Sequence, residues 1–203
     1  MNPRRLAGVA LALLLSGCGG VVSEHPASEG GQSRLDERLL GFWRVDEAAT
    51  PSAPSERLDE TVLLVGREAP GSSTLRLQSL TRHPDGTTGS MSSDVVATTI
   101  AEKDYASLRL NAESAPWALV RYTVDDSDTL RVVGFDERLV AADVRAGTVA
   151  GSAPSEKETA DPAATVLVTL KATTPALRAY LEKRGDAVAR NDRPLVLRRL
   201  RLR

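Results

Sequence analysis

The chain has one cysteine, Cys18, in 203 residues. It can form no internal disulfide, so its stability has to come from a buried core. Histidine is nearly as scarce, with only His25 and His83. This excludes the usual clusters of Cys and His that hold zinc. A Ser-His-Asp arrangement would depend on His83, which lies beside Pro84 in a turn-like stretch, and no serine outside the N-terminal segment sits in G-x-S-x-G. A phosphate-cradling G-x-x-x-x-G-K is absent as well. Asp125, Asp126 and Asp128 cluster, but without the glycine and closing glutamate of a calcium loop, and they read as a solvated turn. The expectation is a protein without metal, cofactor or catalytic function.

Aromatic residues make up 3% of the chain. A pocket for planar ligands or sugars needs stacking groups, so this scarcity argues against one. Lysine occurs only at positions 103, 157, 171 and 183, and arginine supplies the remaining cations. The formal net charge is −1. No basic excess exists to bind nucleic acid, and the sequence has no uncharged apolar run of the roughly 20 residues that a membrane-spanning helix requires.

Against this background the first 18 residues stand out. Arg4 and Arg5 precede an apolar stretch, Leu6 to Leu15, which is followed by Ser16, Gly17 and Cys18. A basic start, a short apolar run and small residues before a cleavage point are the proportions of a secretory signal. The run Leu15-Ser16-Gly17-Cys18 resembles the lipobox of bacterial lipoproteins. That resemblance implies diacylglyceryl transfer to the Cys18 thiol, cleavage before Cys18 and acylation of the new amino terminus. Several acyl chains hold where one would not, because each buried methylene contributes about 0.8 kcal/mol. Gly19 stands where an aspartate would favour inner-membrane retention in that family, so the resemblance implies the outer membrane, on its periplasmic face. Removing residues 1–17, which carry Arg4 and Arg5 and no acid, takes the net charge to −3.

Three segments follow: a signal peptide at 1–17, a flexible tether at 18–36 and a β-rich domain at 37–203. The tether reading rests on Gly, Ser, Glu and Pro. Within the domain, short stretches alternate apolar and polar residues. They include Leu75/Leu77, Leu108/Leu110, Ala118/Val120/Tyr122/Val124 and Val166/Val168/Leu170, with further strands at Gly41–Glu47, Glu60–Gly66, Val95–Ala101, Leu130–Phe135, Thr148–Gly151 and Pro194–Leu202. Residues 151–164 read as a long loop. One helix begins at Thr174-Pro175, presents Leu177, Tyr180 and Leu181 on one face and ends at a Gly185 cap. A weaker one runs from an Asp136 cap to Gly147. The fold class is therefore mainly β: an antiparallel small barrel or sandwich with one or two short helices, the last before the C-terminal strand.

Gly41-Phe42-Trp43 resembles the G-x-W element that opens the first strand of lipocalin-like barrels. In that family the Trp lies across the closed end, often beneath an arginine from the last strand, and here Arg198, Arg199 and Arg201 are available. The residues themselves support a core Trp at the start of a strand. Arg76, Arg109, Arg121 and Arg131 alternate with apolar residues and read as a solvated outer face. Two functions are open. One is a lipid-anchored structural or protein-interaction module of the cell envelope. The other is a lipocalin-like binder of a small apolar ligand.

Overall fold

The computed structural model describes residues 20–29, 33–46, 48–50, 60–82, 86–110, 114–126, 128–160, 164 and 166–201. Cys18 and His83 lie outside them. The strands are β1 (Gly20–Ser23), β2 (Gly41–Val45), β3 (Glu60–Arg67), β4 (Thr74–Arg82), β5 (Thr88–Ile100), β6 (Lys103–Leu110), β7 (Trp117–Asp125), β8 (Thr129–Val133), β9 (Gly151–Ser152), β10 (Leu167–Leu170) and β11 (Leu195–Leu200). The helices are α1 (Glu137–Arg145), α2 (Glu156–Ala160) and α3 (Thr174–Val188).

Strands β2 to β8 form an antiparallel meander, and β11 closes it by pairing with both β8 and β2. The result is an eight-stranded closed barrel, which settles the choice between barrel and sandwich and leaves none of these eight strands as a free sheet edge. Alternation places one set of side chains inside: Trp43 and Val45 from β2, Leu63 and Val65 from β3, Leu75 and Leu77 from β4, and so on round to Leu195 and Leu197 of β11.

A second core lies outside the barrel. It packs Ile100, Tyr105 and Leu119, on the outer faces of β5, β6 and β7, against Val140 and Ala141 of α1, Val168 and Leu170 of β10, and Leu177, Leu181 and Val188 of α3. Here both faces of the barrel wall are covered, so β5 is buried without interruption from Val95 to Thr98. Strand β8 pairs only with Arg121–Asp125 of β7. The edge this leaves open at Trp117 and Ala118 is taken by β1, which pairs in parallel with β10, and β10 with β9.

Four local expectations are corrected. Residues 20–28 do not form a tether: Val21, Ala27 and Ser28 are buried, β1 joins the sheet, and the Ala27 amide donates to the Ser107 hydroxyl at 2.9 Å. Two valines sufficed because β7 and β10 both offer unpaired edges. Residues 151–164 are not wholly loop, since Ser155 and Glu158 form a reciprocal capping box that starts α2. Helix α3 does not stop at Gly185 but runs to the fully buried Val188. Its Thr174 hydroxyl donates to the Pro26 carbonyl instead of capping. The α1 reading stands: the Asp136 carboxylate accepts from the amides of Arg138 and Leu139, and Gly147 terminates it at φ +71°.

Candidate functional site

One end of the barrel is closed by the chain that enters β2. A 3-10 turn, Glu37–Leu39, lies across it and places Leu39 in the interior. Trp43 is completely buried behind this turn, and its indole N–H donates to the Leu39 carbonyl at 2.8 Å. The guanidinium of Arg199, on β11, stacks over the indole at 4.2 Å. It also donates to the carbonyls of Leu40 at 2.5 Å and Arg38 at 2.6 Å. Gly41 adopts φ +123°, and a Cβ there would lie 2.8 Å from Arg199 Nη1. Both members of the G-x-W element thus have a local physical reason: the glycine makes room for the cation that the tryptophan receives.

A polar network flanks this plug. Buried Asp36 accepts from Arg38 Nε at 2.9 Å, from Arg38 Nη2 at 2.6 Å and from the Tyr122 hydroxyl at 2.9 Å, while Arg38 also reaches Asp104 at 2.7 Å. Burial alone would raise the Asp36 carboxyl, but the hydrogen bonds from Arg38 and Tyr122 outweigh it and hold the group below the usual carboxylate range. Burial, reinforced by the Asp36 charge, pushes the Tyr122 phenol above its ordinary value. These groups are engaged with one another and fix the plug to β6 and β7.

The interior beyond Trp43 holds an apolar cavity of about 70 Å³, lined by residues such as Leu63, Leu77, Val95, Leu108 and Leu130. Pockets for drug-sized ligands run from about 300 Å³ upward. The barrel is therefore essentially filled by its own side chains.

The wall opposite the second core differs. On the outer faces of β2, β3 and β4, Phe42, Val62, Leu64 and Leu80 form the apolar floor of a groove of about 580 Å³, with Gln78, Ser90 and Ser92 beside them. Register places Phe42 against Leu64 and Val62 against Leu80. Leu80 is 55% exposed. Arg44, across from Val62, is exposed and has no ion pair among the described residues. The signal for this face was the unbroken apolar run Val62–Val65 in β3, which alternation cannot bury on one side alone.

The four outward arginines are ion-paired, and the expected solvated face holds for Arg76 and Arg131 but not for Arg121, whose side chain is only 15% exposed. Arg76 and Arg109 meet Asp94, Arg131 meets Asp125, and Arg121 meets Asp186 and Asn191. Arg109 also lies over the Trp117 ring at 4.7 Å. In the β7–β8 turn, Asp126 takes φ +49° and Asp128 pairs with Arg201. Among the described residues no three Asp, Glu, His or Cys side chains converge on a point that could hold a metal. His25 is exposed after β1. No described helix is long and apolar enough to cross a membrane. Comparison of the chain with protein-family models, with curated proteins and with solved structures finds no match.

Proposed function

We propose that this is a lipid-anchored protein of the bacterial cell envelope, held at Cys18 on the periplasmic face of the outer membrane, whose barrel acts by binding another envelope protein and not by catalysis. The observation that carries the binding role is the contrast between a filled interior of about 70 Å³ and a groove of about 580 Å³ with an apolar floor on the outer wall that the described residues leave open. An apolar floor rimmed by polar side chains is the kind of surface that takes a partner, and here Phe42, Val62 and Leu64 are half-buried beside the exposed Leu80. A segment with apolar side chains and a carboxylate suits it, since Arg44 borders the floor. Two copies meeting face to face would instead bring the groove's arginines towards each other. The groove is centred on β3, across the barrel from β7 and the attached β1, so it is turned away from the strand that begins next to the anchor.

The test is a photo-crosslinking residue at position 80 in intact cells. A defined protein adduct, lost on Arg44→Glu and Leu64→Asp substitution in a folded chain, is expected. Adducts to lipid alone, or none, overturn the groove. The anchor is tested separately: Cys18→Ser should abolish fatty-acid labelling, and persistence of a labelled, membrane-bound form would refute the lipobox reading.

A second reading, a lipocalin-like binder of a small apolar ligand, draws support from the closed barrel with its Trp43–Arg199 end. It requires the interior to expand around a guest. Native mass spectrometry that finds a stoichiometric small molecule on the purified chain would favour it over the protein-binding role.

A further inference from the structure

We infer that the domain does not float on a tether but sits directly on the bilayer, with Leu167 and the adjoining start of β1 in the lipid interface. The inference rests on lipid attachment at Cys18 and adds what the fold does with it. Two residue steps separate Cys18 from Gly20, a reach of at most about 7 Å. Gly20 is already part of the folded domain: it is buried, it pairs with Leu167, and its amide donates to the Val166 carbonyl at 2.8 Å. Paired strands lie about 4.8 Å apart. The backbone of Leu167 therefore stands within about 12 Å of the acylated residue, however the intervening chain runs. The polar interface of a bilayer is itself several ångströms deep on each side.

Leu167 has the chemistry for that position. It is 56% exposed although it belongs to a strand whose next residue, Val168, is fully buried. On β10 it alternates outward, away from the second core, and the described residues leave more than half of it open. A solvent-facing leucine beside a lipid attachment point gains by entering the interface, where its apolar surface leaves water. Direction follows from pairing. Strand β1 leads away from the attachment point, and its last residue, Ser23, is registered with Trp117, at the start of β7. The barrel end where β7 starts, β4 ends and β5 begins thus lies farther from the lipid than the Gly20–Leu167 pair.

The acylated chain offers a clean test, because its single native thiol is consumed by the lipid. Leu167→Cys and, as a comparison on the far wall, Leu80→Cys each introduce one free thiol for an environment-sensitive fluorophore. Each full-length lipoprotein is reconstituted into phosphatidylethanolamine–phosphatidylglycerol vesicles, some containing headgroup-spin-labelled lipid. The expected result is a blue-shifted probe at 167 that lipid-borne spin labels quench at least threefold more strongly than the probe at 80, with the reverse order for aqueous iodide. Equal quenching at both positions in vesicle-bound protein would overturn the inference and leave the anchor intact. Vesicle binding retained by a Cys18→Ser chain that carries no acyl group would count against the anchor itself.

Discussion

The contact between Arg199 and Trp43 links the last strand to the first strand of the barrel, and a double-mutant cycle measures its strength. The guanidinium lies 4.2 Å from the ring centroid of a side chain with no solvent exposure. A desolvated cation–π pair contributes about 1–2 kcal/mol. Arg199 also holds the carbonyls of Arg38 and Leu40. Charged hydrogen bonds contribute about 1.5–3 kcal/mol each when buried, and with the Arg199 side chain 21% exposed we discount them to about 1 kcal/mol each for screening. Arg199→Met should then cost about 3–4 kcal/mol, the sum of those contributions. Trp43→Leu should cost about 3 kcal/mol, from lost volume and an unpaired Leu39 carbonyl. If the stacking is energetically real, the double variant costs less than the sum of the singles by about 1–2 kcal/mol. Urea unfolding followed by far-ultraviolet circular dichroism provides the free energies, and Trp117 gives a second probe that survives the Trp43 substitution. A coupling below about 0.3 kcal/mol, the scatter for independent sites, would show that the two side chains are neighbours without interacting, and the account of Gly41 as the residue that admits Arg199 would fall with it.

Three further outcomes are expected. Gly185→Ala places a Cβ 2.3 Å from the Tyr105 hydroxyl oxygen and should destabilise the chain by about 1–3 kcal/mol, with partial recovery on adding Tyr105→Phe; equal stability of Gly185→Ala and the parent in thermal unfolding would contradict the packing of α3 on β6. Asp36 has a folded-state pKa below its unfolded value of about 3.9, so its contribution is fully present above that value and disappears as pH falls through the lower folded value; Asp36→Asn should therefore lower stability at pH 7 and flatten the acid limb below about pH 4, and an unchanged acid limb in a pH series of urea melts would count against the network. Val21→Asp should cost at least about 2 kcal/mol, as a charge placed in the second core, whereas a change within about 0.5 kcal/mol, typical of exposed positions, would restore the tether reading for residues 20–28.

What could be read from the sequence, and what could not, follows from how many faces of a strand are buried. Strand β4 is covered on one side, so Leu75 and Leu77 alternate with Arg76 and Gln78, and the pattern is legible. Strand β5 is covered on both sides over its second half, so Val95–Ala101 stood out as an apolar stretch without alternation, while the first half, Thr88–Asp94, buries only Met91 and Ser93 and gave no pattern to read. Turn chemistry was legible where one side chain sufficed, as at the Asp136 cap, and was missed where two had to be read together, as in the Ser155–Glu158 box. Gly185 misled because a glycine after cationic residues looks like a helix terminator, while its actual reason is a tyrosine hydroxyl on another element. At the closed end the residues were named correctly, but which of Arg198, Arg199 and Arg201 meets Trp43 depended on the β2–β11 register. Asp36 rests on contacts between distant segments and had no local signature, whereas the outer groove left one in the unbroken run Val62–Val65, which does not by itself say what lies beside it.

The asymmetry of the barrel wall connects these points to function. A domain without disulfides has to enlarge its core to gain stability, and here it does so by covering one side of the barrel with β1, β9, β10 and the helices α1 and α3. The opposite side, around β3, has no such cover among the described residues, yet it is not polar in the way an uncovered wall would be. Phe42, Val62, Leu64 and Leu80 are outward residues with inward chemistry. Selection for stability alone does not produce that, because each could be polar without touching the interior. Their presence makes sense if something else covers them part of the time. The covered side begins two residues from Cys18, and the bare side lies across the barrel from it. A lipid anchor at that cysteine would therefore leave the groove facing away from its own attachment strand, where a protein partner can reach it.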